Sequence, residues 1–300
     1  MRAGGRRMPA DDDTLAQWVA LSLIPNLGGR TITRLLERFG SLDEVLSASA
    51  EELRQVTGIG PKLVTAIRGV NIAETRQALA HWQADGVRVL LWHTPDYPAT
   101  LNALPDAPPV LFCRGTLQEN DRRAVALVGT RQPTAQGRRV AAMLAAGCAA
   151  RGWTVISGLA TGIDAVAHQS ALEAGGRTLA VLGSGVCAVY PPGNRALAGR
   201  LIERGALLSE THPHAAPSAP TLVARNRLIS GLSRAVIVVE AGADSGCLHA
   251  VRFAHAQNRA VFTVISGARG NARVLAEGAH PLPANRAAFE ALEQILGKEE

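Results

Sequence analysis

Apolar positions along the chain follow two regimes. Between residues 14 and 80 they recur at helical spacing. Leu15, Trp18, Val19 and Leu21–Leu23 open one face, and Ile32, Leu35, Leu36 and Phe39 continue one. From residue 124 onward they gather instead in short unbroken runs: Val125–Val128, Thr154–Ser157, Thr178–Leu182, Ala206–Ser209, Ala235–Val239 and Ala260–Val264. Runs of that length predict strands of a parallel sheet buried on both faces. Amphipathic, alanine-rich stretches lie between them. The order predicts an α/β fold, an extended Rossmann-like, doubly wound and mostly parallel sheet behind a small all-α domain.

The same pattern sets the expected boundaries. Residues 1–13 read as a flexible arm and 14–80 as the helical domain. Residues 81–118 read as a connector, in which extended pieces at Val87–Trp92 and Val110–Cys113 flank a proline-rich passage from Pro95 to Pro109. Residues 119–283 form the Rossmann-like domain, and 284–300 a tail with one short amphipathic helix at Arg286–Leu296. Ser41 followed by Glu44 reads as a capping box. Thr57-Gly58-Ile59-Gly60-Pro61 interrupts the helical pattern before Lys62–Arg68 resumes it. This turn resembles a helix-hairpin-helix motif, whose free backbone N–H groups can face a phosphate. Ile24-Pro25-Asn26-Leu27-Gly28-Gly29 reads as a weaker second copy. A plain packing turn is the other reading of both.

Charge separates the two regions. Residues 1–120 hold 12 basic and 13 acidic side chains, whereas residues 121–280 hold 17 arginines, no lysine and eight acids. Cations concentrated on one domain point to nucleic acid. A preference for Arg over Lys alone would not produce an excess over acids. Cys113, Cys148, Cys187 and Cys247 are far apart and form no CxxC pair. That argues against a disulfide framework or zinc site and fits a reducing cytoplasm. No apolar run is long enough to predict a membrane span, and the start lacks the apolar core of a signal peptide.

In a doubly wound sheet, ligands sit beyond the carboxyl ends of the strands. Here the strands end in Gly129-Thr130-Arg131, in Ser157-Gly158-Leu159-Ala160-Thr161-Gly162-Ile163-Asp164, in Gly183-Ser184-Gly185, in Ser209-Glu210, and in Glu240-Ala241 followed by Ser245-Gly246. Glycines let backbone N–H groups approach a phosphate closely. Arg225-Asn226-Arg227, before the fifth strand, offers two guanidiniums for phosphate and an amide for a base edge or a local turn. The expected site is therefore one groove with Arg131, Arg225 and Arg227 on a wet rim. The loops at Gly129, Ser157–Gly162 and Gly183–Gly185 would donate N–H groups there.

The ordered motifs VGTR, SGLATGIDAVAH, LAVLGSG, YPPGN, LLSE, ARNRLISGLS, VVEA and the SG at 245–246 resemble the DprA/Smf family, and with the helical start the likeness covers roughly residues 14–282. The resemblance implies a sterile-alpha-motif-like N-terminal domain and an extended Rossmann fold. It also implies single-stranded DNA binding without catalysis or a cofactor, homodimers, and loading of the RecA recombinase during transformation. The sequence departs from the family pattern at several points. Leu222-Val223 replace Phe-Pro, removing an aromatic whose stacking is typically worth about 1–3 kcal/mol per base. Gln136-Gly137, Ile265-Ser266-Gly267, Cys247 and Asn271 also differ. The winged-helix domain of many members is not expected.

Two rival readings use the same loops. Gly183-Ser184-Gly185-Val186-Cys187-Ala188 fits the dinucleotide fingerprint GxGxxA, but Pro191 and Pro192 would break the helix it must open. A LOG-like nucleotide-binding or nucleotide-hydrolysing enzyme could use Asp164 and His168, at i, i+4, with Glu210 and Glu240. The alternative is that Asp164 caps its helix and His168 packs on the sheet. His212 and His214 lack a third metal ligand, and Tyr190 is the one rim aromatic that could stack a base, the other reading being a core tyrosine beside Pro191 and Pro192.

Overall fold

The computed structural model describes residues 12–297. The arm expected over 1–13 lies outside these residues except for Asp12 and Asp13, which already belong to a helix. The chain divides into two compact units, one ending at Tyr97 with Asn102–Leu111 added, the other comprising Pro98–Leu101 and the chain from Phe112.

The first unit opens with six helices: α1 (Asp12–Ser22), α2 (Gly29–Phe39), α3 (Leu42–Ser47), α4 (Ala50–Arg54), α5 (Pro61–Arg68) and α6 (Ile72–Ala84). The periodic apolar residues, Ile32, Leu35, Val45, Leu53, Val64 and Ile67 among them, meet in one core. Ser41 caps α3 by accepting from Glu44 N, but the reciprocal box forms at Ser49 and Glu52. Both expected hairpins exist, with Gly28 and Gly60 as N-caps of α2 and α5. They differ in cover. A β-carbon on Gly29 would come within 2.4 Å of the Ala107 carbonyl oxygen, whereas nothing lies within 4 Å of one on Gly60.

The rest of the chain runs β1 (Val87–Leu91), α7 (Ala99–Asn102), β2 (Val110–Gly115), β3 (Ala124–Val128), α8 (Ala135–Ala150), β4 (Thr154–Ser157), α9 (Ile163–Glu173), β5 (Thr178–Val181), α10 (Arg195–Arg204), β6 (Ala206–Ser209), α11 (Ala219–Ala224), α12 (Asn226–Gly231), β7 (Ala235–Val238), α13 (Leu248–Ala256), β8 (Ala260–Val264), α14 (Arg269–Ala276), β9 (His280–Leu282) and α15 (Ala288–Leu296). All six expected strands form. The sheet order is β1-β2-β6-β5-β4-β3-β7-β8-β9. The segment expected as a connector thus supplies two strands. β2 pairs antiparallel with β6, Phe112 opposite Ser209, and its first four residues are buried. β9 was not expected, because only Leu282 of its three residues is buried.

From β3 the chain builds outward through β4, β5 and β6, then returns to lay β7, β8 and β9 on the other side. β3 and β7 run parallel, Val125 opposite Ala235 and Val128 opposite Val238. Their loops diverge at this switch point, leaving a crevice beyond the strand ends. Beneath it, Val140, Leu144 and Cys148 of α8 pack with Leu127, Ile237 and Phe289 of α15. No described helix is long and apolar enough to cross a membrane.

Candidate functional site

The crevice holds a cleft of about 650 Å³. Its walls are the turn after β3 (Gly129, Thr130, Arg131), the α11–α12 junction (Leu222, Val223, Arg225, Asn226) and the segment before α13 (Ser245, Gly246, Cys247). Ala160 and Asp164 add to the lining. α13 follows directly on that third wall, and its first three N–H groups are bonded to the Ser245, Gly246 and Cys247 carbonyls.

The turn after β3 is fixed from below. Thr130 N donates to the Glu240 carbonyl (2.7 Å), and the Thr130 carbonyl accepts from Ile163 N (3.1 Å). Gly162 has φ of +82°, and a β-carbon there would come within 2.3 Å of the Thr130 carbonyl oxygen, so both loop and turn require glycine at that point. Further along, the Glu240 carboxylate accepts from Thr134 N (3.1 Å) and Thr134 Oγ1 (2.8 Å). Gly137 leaves room for it, since a β-carbon would sit 1.8 Å from Glu240 Oε2. The turn is thereby anchored at both ends, and Arg131 stands exposed on the cleft wall. Among the described residues no carboxylate pairs with it.

Arg225 is placed differently from the expected wet rim. Its residue is 7 % exposed, and Nη1 donates to the Val181 carbonyl at 2.7 Å. Its charge interacts with that of the buried Asp164, whose Oδ2 accepts from Gly158 N (3.2 Å) and Ala160 N (3.3 Å). Asp164 therefore does not cap its own helix but holds the preceding loop. Burial pushes its carboxyl above the usual carboxylate range, while the Arg225 charge and the two N–H donors pull it down. Burial likewise lowers the basicity of Arg225, against the pull of Asp164. His168 packs beneath, on the sheet. Its Nδ1 lies 2.6 Å from Thr178 Oγ1, which donates to the Val155 carbonyl, so Nδ1 carries the proton. Burial and the Arg225 charge take the His168 pKa down to about 3.

The remaining expected residues scatter. Asn226 lines the cleft, and its Nδ2 donates to the Leu222 carbonyl (3.3 Å), fixing the local turn. Arg227 turns to an ion pair with Glu210 and does not line the cleft. Ser157 is buried, its Oγ bonded to the Leu127 carbonyl (2.6 Å). Gly158 is the seat of the Arg225 guanidinium. Gly183, Ser184 and Gly185 are buried away from the cleft: Gly183 abuts the Leu222 backbone, the Ser184 carbonyl accepts from Ser209 Oγ, and Gly185 N donates to the Ala215 carbonyl. No helix opens on Gly183–Ala188; the next element is a single 3₁₀ turn at Pro192–Asn194. Asn271 was missed as a structural residue. It is buried, accepts from Ala241 N (2.7 Å) and donates to the Val239 and Val264 carbonyls (3.0 Å each), which stitches the ends of β7 and β8.

A doubly wound sheet with a cationic cleft at its switch point, preceded by tandem helical hairpins, defines the class. The chain belongs to the DNA recombination-mediator protein A family, whose model matches residues 88–293. A SAM-like helix-hairpin-helix tandem matches residues 20–68, so both hairpins are part of one motif. Protein Smf of Synechocystis is 39% identical over 254 residues, which cover 83% of this chain and 64% of that protein. DNA processing protein DprA of Bacillus subtilis is 36% identical, over 72% of this chain and 75% of that one. The chain thus spans about two thirds to three quarters of these relatives. The X-ray structure of Streptococcus pneumoniae DprA superposes with a TM-score of 0.75 at 28% identity, covering 95% of this chain and 98% of that one. The structure of DNA processing protein A from Helicobacter pylori, described for its single-stranded DNA binding mode, gives 0.63 at 26% identity over 71% of this chain and 97% of that one.

Proposed function

We propose that the cleft binds the backbone of single-stranded DNA, and that the chain acts in recombination as a binding protein rather than as an enzyme. The observation that carries this is the exposed Arg131, held by an anchored turn at the mouth of a cleft whose floor already contains the buried Arg225. A fixed guanidinium exposed on the cleft wall, with no carboxylate paired to it among the described residues, suits phosphate, and contacts of this kind are indifferent to base sequence. The DNA-binding mode described for the Helicobacter relative supports the same reading. Against catalysis, Glu240 is engaged with Thr134, Glu210 with Arg227, and Asp164 with the 158–160 backbone. No acid/base pair faces the cleft with a free carboxylate among these three.

The family resemblance extends the proposal to a cytoplasmic homodimer that delivers DNA to RecA. Pairing two clefts would raise avidity without new contacts. A gel shift with single- and double-stranded oligonucleotides at two salt concentrations tests the core of the reading. Tight, salt-sensitive binding to the single strand with weak duplex binding is expected. Equal retention of both strands, or turnover of a nucleotide, would overturn it.

A further inference from the structure

The cleft offers cations and amides but no aromatic ring among its lining residues; its apolar wall is Leu222, Val223 and Ile229. Such a wall holds a backbone and gives bases little to stack on. Tyr190, outside the cleft, is the one Phe, Tyr or Trp among the described residues that is exposed, at 43 %. A singly exposed ring needs no explanation by itself. Its support does. Cys187 N and Ala188 N, just before it, bond to the Pro213 and Gly185 carbonyls, and Pro191 and Pro192 follow it. Asn194 then ties the segment to the cleft loop, its Nδ2 donating to the Leu159 carbonyl at 2.9 Å, one residue from the cleft-lining Ala160. The next residue, Arg195, is exposed, and no carboxylate pairs with it among the described residues.

We infer that Tyr190 is a stacking platform for an unpaired base of the strand whose phosphates the cleft holds, with Arg195 beside it for the adjoining phosphate. The inference rests on the reading of the cleft as a single-strand site. The backbone that carries the ring is held between a bonded turn and two prolines, so stacking on it orders little besides the side chain itself. A duplex, whose bases stack on one another, cannot use it.

The test compares binding of an oligothymidylate with that of an abasic oligonucleotide of equal length, by fluorescence anisotropy. Tyr190→Ala is expected to weaken oligothymidylate binding by at least about fivefold and to leave abasic binding unchanged, with Tyr190→Phe and Tyr190→Trp restoring affinity. Equal loss on both oligonucleotides would assign Tyr190 a structural role, and no loss on either would remove it from the site; each outcome overturns the inference. Arg131→Ala, measured alongside, separates the two claims. Loss on both oligonucleotides with Tyr190→Ala silent leaves the cleft standing and sinks the platform. A silent Arg131→Ala sinks the cleft itself.

Discussion

The guanidinium of Arg225 occupies the space that a side chain on Gly158 would fill: a β-carbon on Gly158 would lie 1.5 Å from Arg225 Nη1. The glycine after β4 is thus a seat for a buried cation rather than a donor to a ligand. Gly158→Ala must push the guanidinium off the Val181 carbonyl, and overpacking of this kind costs about 1–3 kcal/mol. Urea denaturation should show that loss, together with weaker DNA binding. An unchanged denaturation midpoint would contradict the packing.

Arg225→Ala should damage the fold, unlike a surface arginine. It leaves the buried Val181 carbonyl without its donor and removes the charge that pulls the buried Asp164 carboxyl down, and leaving a buried group unsatisfied typically costs about 1–3 kcal/mol. The pH dependence has a definite sign. Burial already raises the Asp164 carboxyl above 3.8, and removing Arg225 raises it further. The folded variant then keeps a proton that the unfolded chain releases, so its stability falls as pH rises above that value. The deficit relative to wild type should be smaller in acid than at neutral pH, as measured by urea titrations at both. A deficit independent of pH would mean that Asp164 does not carry the effect.

His168 acts in the opposite direction. Its pKa drops from 6.5 to about 3 on folding, so the unfolded chain binds the extra proton. The neutral ring's contribution is complete above 6.5 and is lost as pH falls toward 3, about 2 kcal/mol of it by pH 5. His168→Gln, which cannot titrate, should show a flatter stability profile between pH 7 and 5. Parallel profiles for the two proteins would rule the histidine out as the source.

Much of this fold was legible from the chain. The six buried strands announced themselves as unbroken apolar runs, because a sheet covered on both faces admits no polar alternation. β2 was visible as an extended piece but not as a sheet member, since its partner β6 lies about 95 residues away and antiparallel pairing leaves no local mark. At the site, Gly129, Thr130, Arg131, Arg225, Asn226, Ser245 and Gly246 do meet in one cleft. Gly183–Gly185 does not, because glycine serves close backbone packing as readily as phosphate, and only the neighbours, here Leu222 and Pro213, decide which. Burial of Arg225 was hidden too, because the carbonyl it bonds, that of Val181, is 44 residues away. The spacing of Glu240 from Thr134 likewise concealed the carboxylate that anchors the Arg131 turn.

The central claim is that Arg131 holds a DNA phosphate from an otherwise intact fold. The most direct measurement is single-strand affinity as a function of salt for the wild-type protein, Arg131→Ala, and Arg76→Ala as a control whose exposed partner is Asp13. Arg131→Ala should unfold in urea as wild type does, bind more weakly by about 1–3 kcal/mol at every sequence, and reduce the salt slope by about one phosphate. Arg76→Ala should match wild type in affinity and slope. If Arg131→Ala, folded, keeps the wild-type affinity and slope, or if Arg76→Ala loses as much, the cleft is not where the DNA backbone is held.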